Sequence, residues 1–124
     1  MAPILVDTGI WIDHLHQAEP ELQRLLVNGQ AATHPVVVGE LACGSIKKRK
    51  HFLSSLKYLP SLPEVSSGEC LYFLEENKLW GRGLGWSDMH LLAACRLGEN
   101  TIWTRDKPLR SAAGEVGIPV RDEF

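Results

Sequence analysis

Four acidic residues of this 124-residue chain stand where a carboxylate is either awkward or useful. Asp7 ends the apolar run Ile4-Leu5-Val6. Asp106 follows "TIWT" (101–104) by two residues. Asp88 opens a helical pattern after the glycine-rich "GRGLG", and Glu40 lies inside another, between "VVVG" and "LACG". One helical turn from Glu40 stand Val36, Val37, Cys43 and Gly44, so the face it shares is expected to be buried. A lone buried carboxylate is costly unless it is protonated or paired. No Lys or Arg occurs between residues 25 and 46 to pair with it locally. Asp88 shares a face with Leu91, Leu92 and Cys95 and is expected on the core side of its helix entrance. Taken singly, each has a plainer explanation. Asp88 and Asp106 suit helix caps, Asp7 an Asx-turn, Glu40 a distant arginine partner. Taken together they suit an oxygen-lined site for Mg2+ or Mn2+ better than one for zinc, since no Cys or His joins the set.

The elements that must position these acids alternate between short β-like runs and helical patterns, which predicts an α/β fold with a mainly parallel sheet. Strands are expected at 3–7, 30–34, 62–65, 101–104 and 118–121. Thr8 and Gly9 read as the turn leaving the first. Helices are expected over Pro20 to Asn28, from Pro35 to a stop at Gly44, through "KKRKHFLSSLKYL", from a Ser67 cap to about Trp80, from Ser87 or Asp88 to Gly98, and from Asp106 and Pro108 to about Val116. In a parallel sheet, strand C-termini and the following helix N-termini gather on one edge, and ligand sites form there. Asp7, Asp88 and Asp106 are therefore expected to be close despite their separation in sequence.

Composition bounds the rest. Length suits a single domain spanning 1–124. Hydrophobic residues make up 44% and charged residues 23%, and the formal net charge is −2, which argues against bulk electrostatic wrapping of duplex DNA but leaves room for a local basic patch. Cys43, Cys70 and Cys95 form no C-x-x-C and read as small buried hydrophobes in a reducing compartment. No apolar run reaches the ~20 residues of a membrane span, and "MAPILVD" lacks secretory-signal character. A cytoplasmic protein without a membrane partner is expected.

The stretch "VDTGIWIDHL" resembles the first motif of PIN-domain nucleases, closely that of VapC-type toxins of bacterial toxin–antitoxin pairs. "VVVGELACG" is similar to their second motif, "GLGWSDMHLLAAC" to the third and "TIWTRDKPL" to the fourth, in order and over nearly the whole chain. The resemblance implies a three-layer α/β/α sandwich around a five-stranded parallel sheet and an endoribonuclease dependent on Mg2+ or Mn2+. It implies that Asp7, Glu40, Asp88 and Asp106 form the metal-holding quartet, with Thr8 and Thr104 at flanking hydroxyl positions and Thr104 the stronger contributor. It also implies a homodimer and a cognate antitoxin whose C-terminal arm blocks the site. Gly9 stands where many relatives carry Ser, so no hydroxyl arises there.

Substrate contacts are expected from Arg82, Arg105 and Lys107, with Arg110 and the basic run Lys47–Lys50 as further candidates and Trp86 as a possible base-stacking ring. Leu22, Leu25, Leu26 and Val27, with "FLSSLKYL", suit either a partner groove or this chain's own core. Two phosphotransfer readings fit less well: a haloacid dehalogenase-like phosphatase wants an Asp two residues after the first, where this chain has Gly9, and a receiver domain wants paired acids before its phosphoaccepting Asp. A catalytically inactive PIN-like module that binds RNA or protein remains the non-enzymatic alternative.

Overall fold

Ile4, Leu5 and Val6 are all buried and form β1, the central strand of a parallel sheet ordered β2-β1-β3, in which β2 is Ala31–Ala32 and β3 is Ile102–Trp103. A strand covered on both faces carries an unbroken apolar run, as this one does. The structure, a computed structural model, describes residues 2–123. Helices α1 (Thr8–His16), α2 (Pro20–Val27), α3 (Pro35–Ala42), α4 (Arg49–Leu56), α5 (Ser67–Glu76), α6 (Trp86–Gly98) and α7 (Lys107–Glu115) connect and follow the strands. The architecture is α/β.

Five strands were expected, and three form among the described residues. The two outer ones survive only as single parallel bridges, Thr33 with Ser61 and Ile102 with Val120, one on each side of the sheet. Prolines explain the truncation. Pro60 and Pro63 bracket Ser61, and Pro119 precedes Val120; proline has no N–H to extend a ladder.

Thr8 and Gly9 are not a turn but the first turn of α1, with Asp7 as the N-cap. Gly9 hid this helix, because glycine is a poor helix former. The cap of α5 is Ser66 rather than Ser67, and the helix stops at Glu76, short of Trp80; Lys78 beyond it has a positive φ of 53°. Helix α6 begins at Trp86, a residue or two earlier than expected. Helix α3 closes at Ala42, whose carbonyl accepts from the Arg49 guanidinium at 2.9 and 2.7 Å.

The core joins β1 and β3 to Ile10 and Trp11 of α1, Leu22 and Leu25 of α2, Val37 and Leu41 of α3, and Leu91, Leu92 and Cys95 of α6. Leu22 and Leu25 thus fill this chain's own interior, while Val27 is exposed. Cys70 and Cys95 are buried, and burial pushes the Cys95 thiol up to about 12, so it is inert as a nucleophile. Cys43 corrects the expectation: it caps the end of α3 and is exposed. Among the described residues no helix is long and apolar enough to cross a membrane.

Candidate functional site

The register of β1 against β3 brings the first two functional side chains together. Leu5 N–H donates to the Thr101 carbonyl and Asp7 N–H to the Trp103 carbonyl, each at 2.9 Å. Thr104, completely buried, then lies beside Asp7, and its hydroxyl donates to Asp7 Oδ2 at 2.6 Å. The other oxygen, Oδ1, accepts from the Thr8 N–H at 2.8 Å. Asp7 is thereby half-buried, fixed on both oxygens, and placed at the positive end of α1.

The chain of contacts runs on in both directions. Thr104 Oγ1 accepts from the Asp106 N–H at 3.1 Å, and Asp106 Oδ2 accepts from the Leu109 N–H at 3.1 Å, capping α7. Thr8 Oγ1 donates to Glu40 Oε1 at 2.7 Å. Asp88 Oδ2 accepts from the Gly85 N–H at 2.9 Å, closing the entrance to α6. Burial raises the Asp88 carboxyl above its ordinary range; the Gly85 hydrogen bond opposes this, and the negative charges of Asp7 and Asp106 add to it. Asp7, Asp88 and Asp106 each sit at the N-terminus of a helix, so the plain role of helix cap and a shared position at one sheet edge are not alternatives here.

Glu40 departs from its expected setting. It is exposed, as is Cys43, because the buried face of α3 is Val37 and Leu41; Glu40 stands at the edge of that face and turns to Thr8. Asp88 is half-buried rather than in the core, and Asp106 is exposed.

Chemically the donor set is all oxygen, which suits a hard dication. The raised Asp88 carboxyl beside two like charges is the kind of repulsion a cation relieves. Among the described residues no three Asp, Glu, His or Cys side chains enclose a common point as they stand. Glu40 and Asp106, exposed and each held by one side-chain hydrogen bond, have the most room to turn.

Two of the three cations expected to meet substrate are occupied. Arg82 pairs with Glu115, one contact being 3.0 Å, and reaches the Ser111 hydroxyl at 3.5 Å. Arg105 is surrounded by Asp13, Glu19 and Glu123. These acids lie between 18 and 92 residues away, beyond the reach of local sequence patterns. Lys107, the first residue of α7, is exposed and has no ion partner among the described residues. Arg110, noted only as a flanking cation, donates to the Thr104 carbonyl at 3.0 Å and so buttresses the residue that holds Asp7. Trp86 is exposed and meets His90 edge-on, with ring centroids 4.9 Å apart. The apolar surface nearest the acids is a cleft of about 480 Å³ walled by Ile12, Leu15, Leu41 and Ile46, with Glu40 and Lys47 at its rim.

An α/β chain with acids gathered at the carboxyl edge of a parallel sheet defines a class that sequence comparison makes specific. Residues 4–115 match the PIN domain. The chain therefore belongs to the PIN-domain family, with its VapC-type members. It is 45% identical over 121 residues to the "Ribonuclease VapC32" proteins of two Mycobacterium tuberculosis strains, covering 97% of this chain and 98% of theirs. Its fold is similar to that of FitAcB from Neisseria gonorrhoeae (TM-score 0.63, 19% identity, 96% of each chain). It is also similar to that of PAE2754 from Pyrobaculum aerophilum (TM-score 0.63, 14% identity, 96% of this chain and 83% of that one). A third likeness is to FitAB bound to an IR36 DNA fragment (TM-score 0.61, 16% identity, 95% and 93%). At these identities the structural likenesses speak for fold alone.

Proposed function

We propose that this protein is a metal-dependent endoribonuclease acting as the toxin of a toxin–antitoxin pair. The observation that carries the reading is the linked set Glu40–Thr8–Asp7–Thr104–Asp106, with Asp88 feeling the charge of Asp7 and Asp106, at one sheet edge of a PIN-family chain. The 45% identity to a protein named as a ribonuclease supports the activity.

Asp7, Asp88 and Asp106 would hold Mg2+ or Mn2+, with Glu40 completing the set. When bound, such an ion neutralises phosphate charge and makes a water more acidic. The protein's own groups supply the rest. Thr104, itself held by Arg110, keeps one Asp7 oxygen fixed while the other stays on the Thr8 amide. Glu40, exposed and adjustable, orients the attacking water and accepts its proton. The water oxygen bonds to phosphorus, the bond from phosphorus to the 3′ oxygen breaks, and that oxygen takes up a proton. The products are 5′-phosphate and 3′-hydroxyl ends. Lys107 and the basic run at Lys47, Lys48 and Lys50, with no ion partner among the described residues, are the cations this reading assigns to the RNA backbone.

The antitoxin reading draws support from the apolar cleft beside Glu40. A partner segment seated there would lie against Glu40. For self-association, exposed Tyr72 and Leu97 line one groove between α5 and α6 with Phe73 and Ala93, an apolar surface a second copy would cover. A soluble, cytoplasmic, single-domain enzyme is the setting these roles require.

The test is cleavage of labelled single-stranded RNA with Mn2+ or Mg2+, with and without chelator, by wild type and Asp7→Asn. Cutting that chelation and Asp7→Asn both abolish is the expected result. Tight binding without cutting would leave a binding module instead.

A further inference from the structure

The guanidinium between Thr104 and Asp106 is open to solvent on one side, yet three of the protein's own carboxylates ring it. Arg105 Nε donates to Glu123 Oε1 and Oε2 at 3.0 and 2.8 Å, and Nη2 donates to Glu123 Oε2 at 2.6 Å. Nη1 donates to Asp13 Oδ2 at 2.6 Å and to Glu19 Oε1 at 2.8 Å. Four of the five N–H groups that a guanidinium carries are thus committed, and no fork remains for a phosphate. Three carboxylates on one cation leave the cluster net negative. Arg121, which lies over the same Trp103 ring, is itself paired with Glu21. RNA would be repelled here rather than drawn in.

The three acids come from three separate places. Asp13 is on α1, the helix that Asp7 caps and that carries Thr8. Glu19 is in the link between α1 and α2. Glu123 is in the C-terminal segment. Arg105 itself sits in the short loop that holds Thr104 and Asp106. We propose that Arg105 is a positioning residue: it fixes the loop bearing Thr104 and Asp106 against the helix headed by Asp7, and it does not hold RNA. The role in cleavage rests on the ribonuclease reading above; the clamp itself does not. A lysine cannot replace it, because a point charge lacks the planar fork that reaches three partners at once.

The test is steady-state cleavage of single-stranded RNA by purified full-length Arg105→Gln, Arg105→Lys and Glu123→Gln, with hydrogen exchange over residues 101–110 on the same proteins. Expected is a fall in kcat of about tenfold or more for Arg105→Gln, with no rescue by lysine, since small misplacement of reacting groups is expensive. KM should stay within about twofold, and Glu123→Gln should shift kcat the same way. A raised KM at unchanged kcat, a salt dependence of RNA binding shallower by about 0.7 in log–log slope for Arg105→Gln, or no change in either constant would each overturn the proposal. Should wild type cut no RNA, the functional reading fails and exchange alone decides. Faster exchange over 101–110 in Arg105→Gln supports the clamp, and unchanged exchange removes it. If Arg105→Gln does not fold, Asp13→Asn and Glu123→Gln carry the same comparison.

Discussion

Asp7 and Glu40 are joined through Thr8, one by its main chain and the other by its side chain, yet they are held in different ways. Asp7 ends a buried strand, receives donors on both oxygens and is half-buried. Glu40 stands on the exposed edge of a helix and touches one hydroxyl. The difference separates a fixed anchor from an adjustable arm. Burial and a strand register set the first; the second owes its place to a single hydrogen bond and is free to follow a substrate or a proton.

The largest expected effect tests the anchor. Asp7→Asn should fold and lose RNA cleavage by roughly a thousandfold or more in kcat, because a neutral amide is a far weaker cation ligand. Glu40→Gln should cost less, about ten- to a hundredfold, within the range of general-base contributions. Equal losses in the two variants would erase the distinction between anchor and arm. Thr104→Val should sharpen it from the other side. Removing a buried hydroxyl that holds Asp7 should lower stability by about 1–3 kcal/mol and reduce kcat, whereas Thr104→Ser should keep most of both. Thermal melts alongside cleavage rates separate the two effects.

The smallest effect lies at the head of Glu40's own helix. His34 is completely buried and caps α3, its Nδ1 accepting from the Val36 N–H at 2.9 Å. Burial lowers its pKa; Glu64 opposes this and His90 reinforces it. The folded protein therefore holds His34 neutral where the unfolded chain takes up a proton. Stability should be full above the ordinary histidine value of about 6.5 and fall as pH drops through it. His34→Asn, which keeps a capping acceptor, should flatten that slope in melts between about pH 5 and 7.5. An unchanged slope would take His34 out of the account.

Legibility in the sequence followed the same division. Asp7 and Asp106 could be placed at strand ends because an acid closing an apolar run is a local signal. Asp88 could be placed at a helix entrance because glycines precede it. Glu40 misled, since its neighbours' burial was assigned to it, when Val37 and Leu41 are the fully buried residues of that helix and Glu40 itself is exposed. Helix α1 was hidden by Gly9. The outer strands were overcounted although the prolines that break them were visible. The arginines were the least legible. Arg82 and Arg105 looked free because their carboxylate partners, Glu115, Asp13, Glu19 and Glu123, are brought to them only by the fold.

The most direct measurement is calorimetric titration of Mn2+ into metal-free wild type, Asp7→Asn and Asp88→Asn. The account predicts saturable binding to wild type, weakened about tenfold or more in each variant, as loss of a charged oxygen ligand requires. Wild-type protein that binds no Mn2+ at millimolar concentration, or variants that bind it as tightly as wild type, would contradict it.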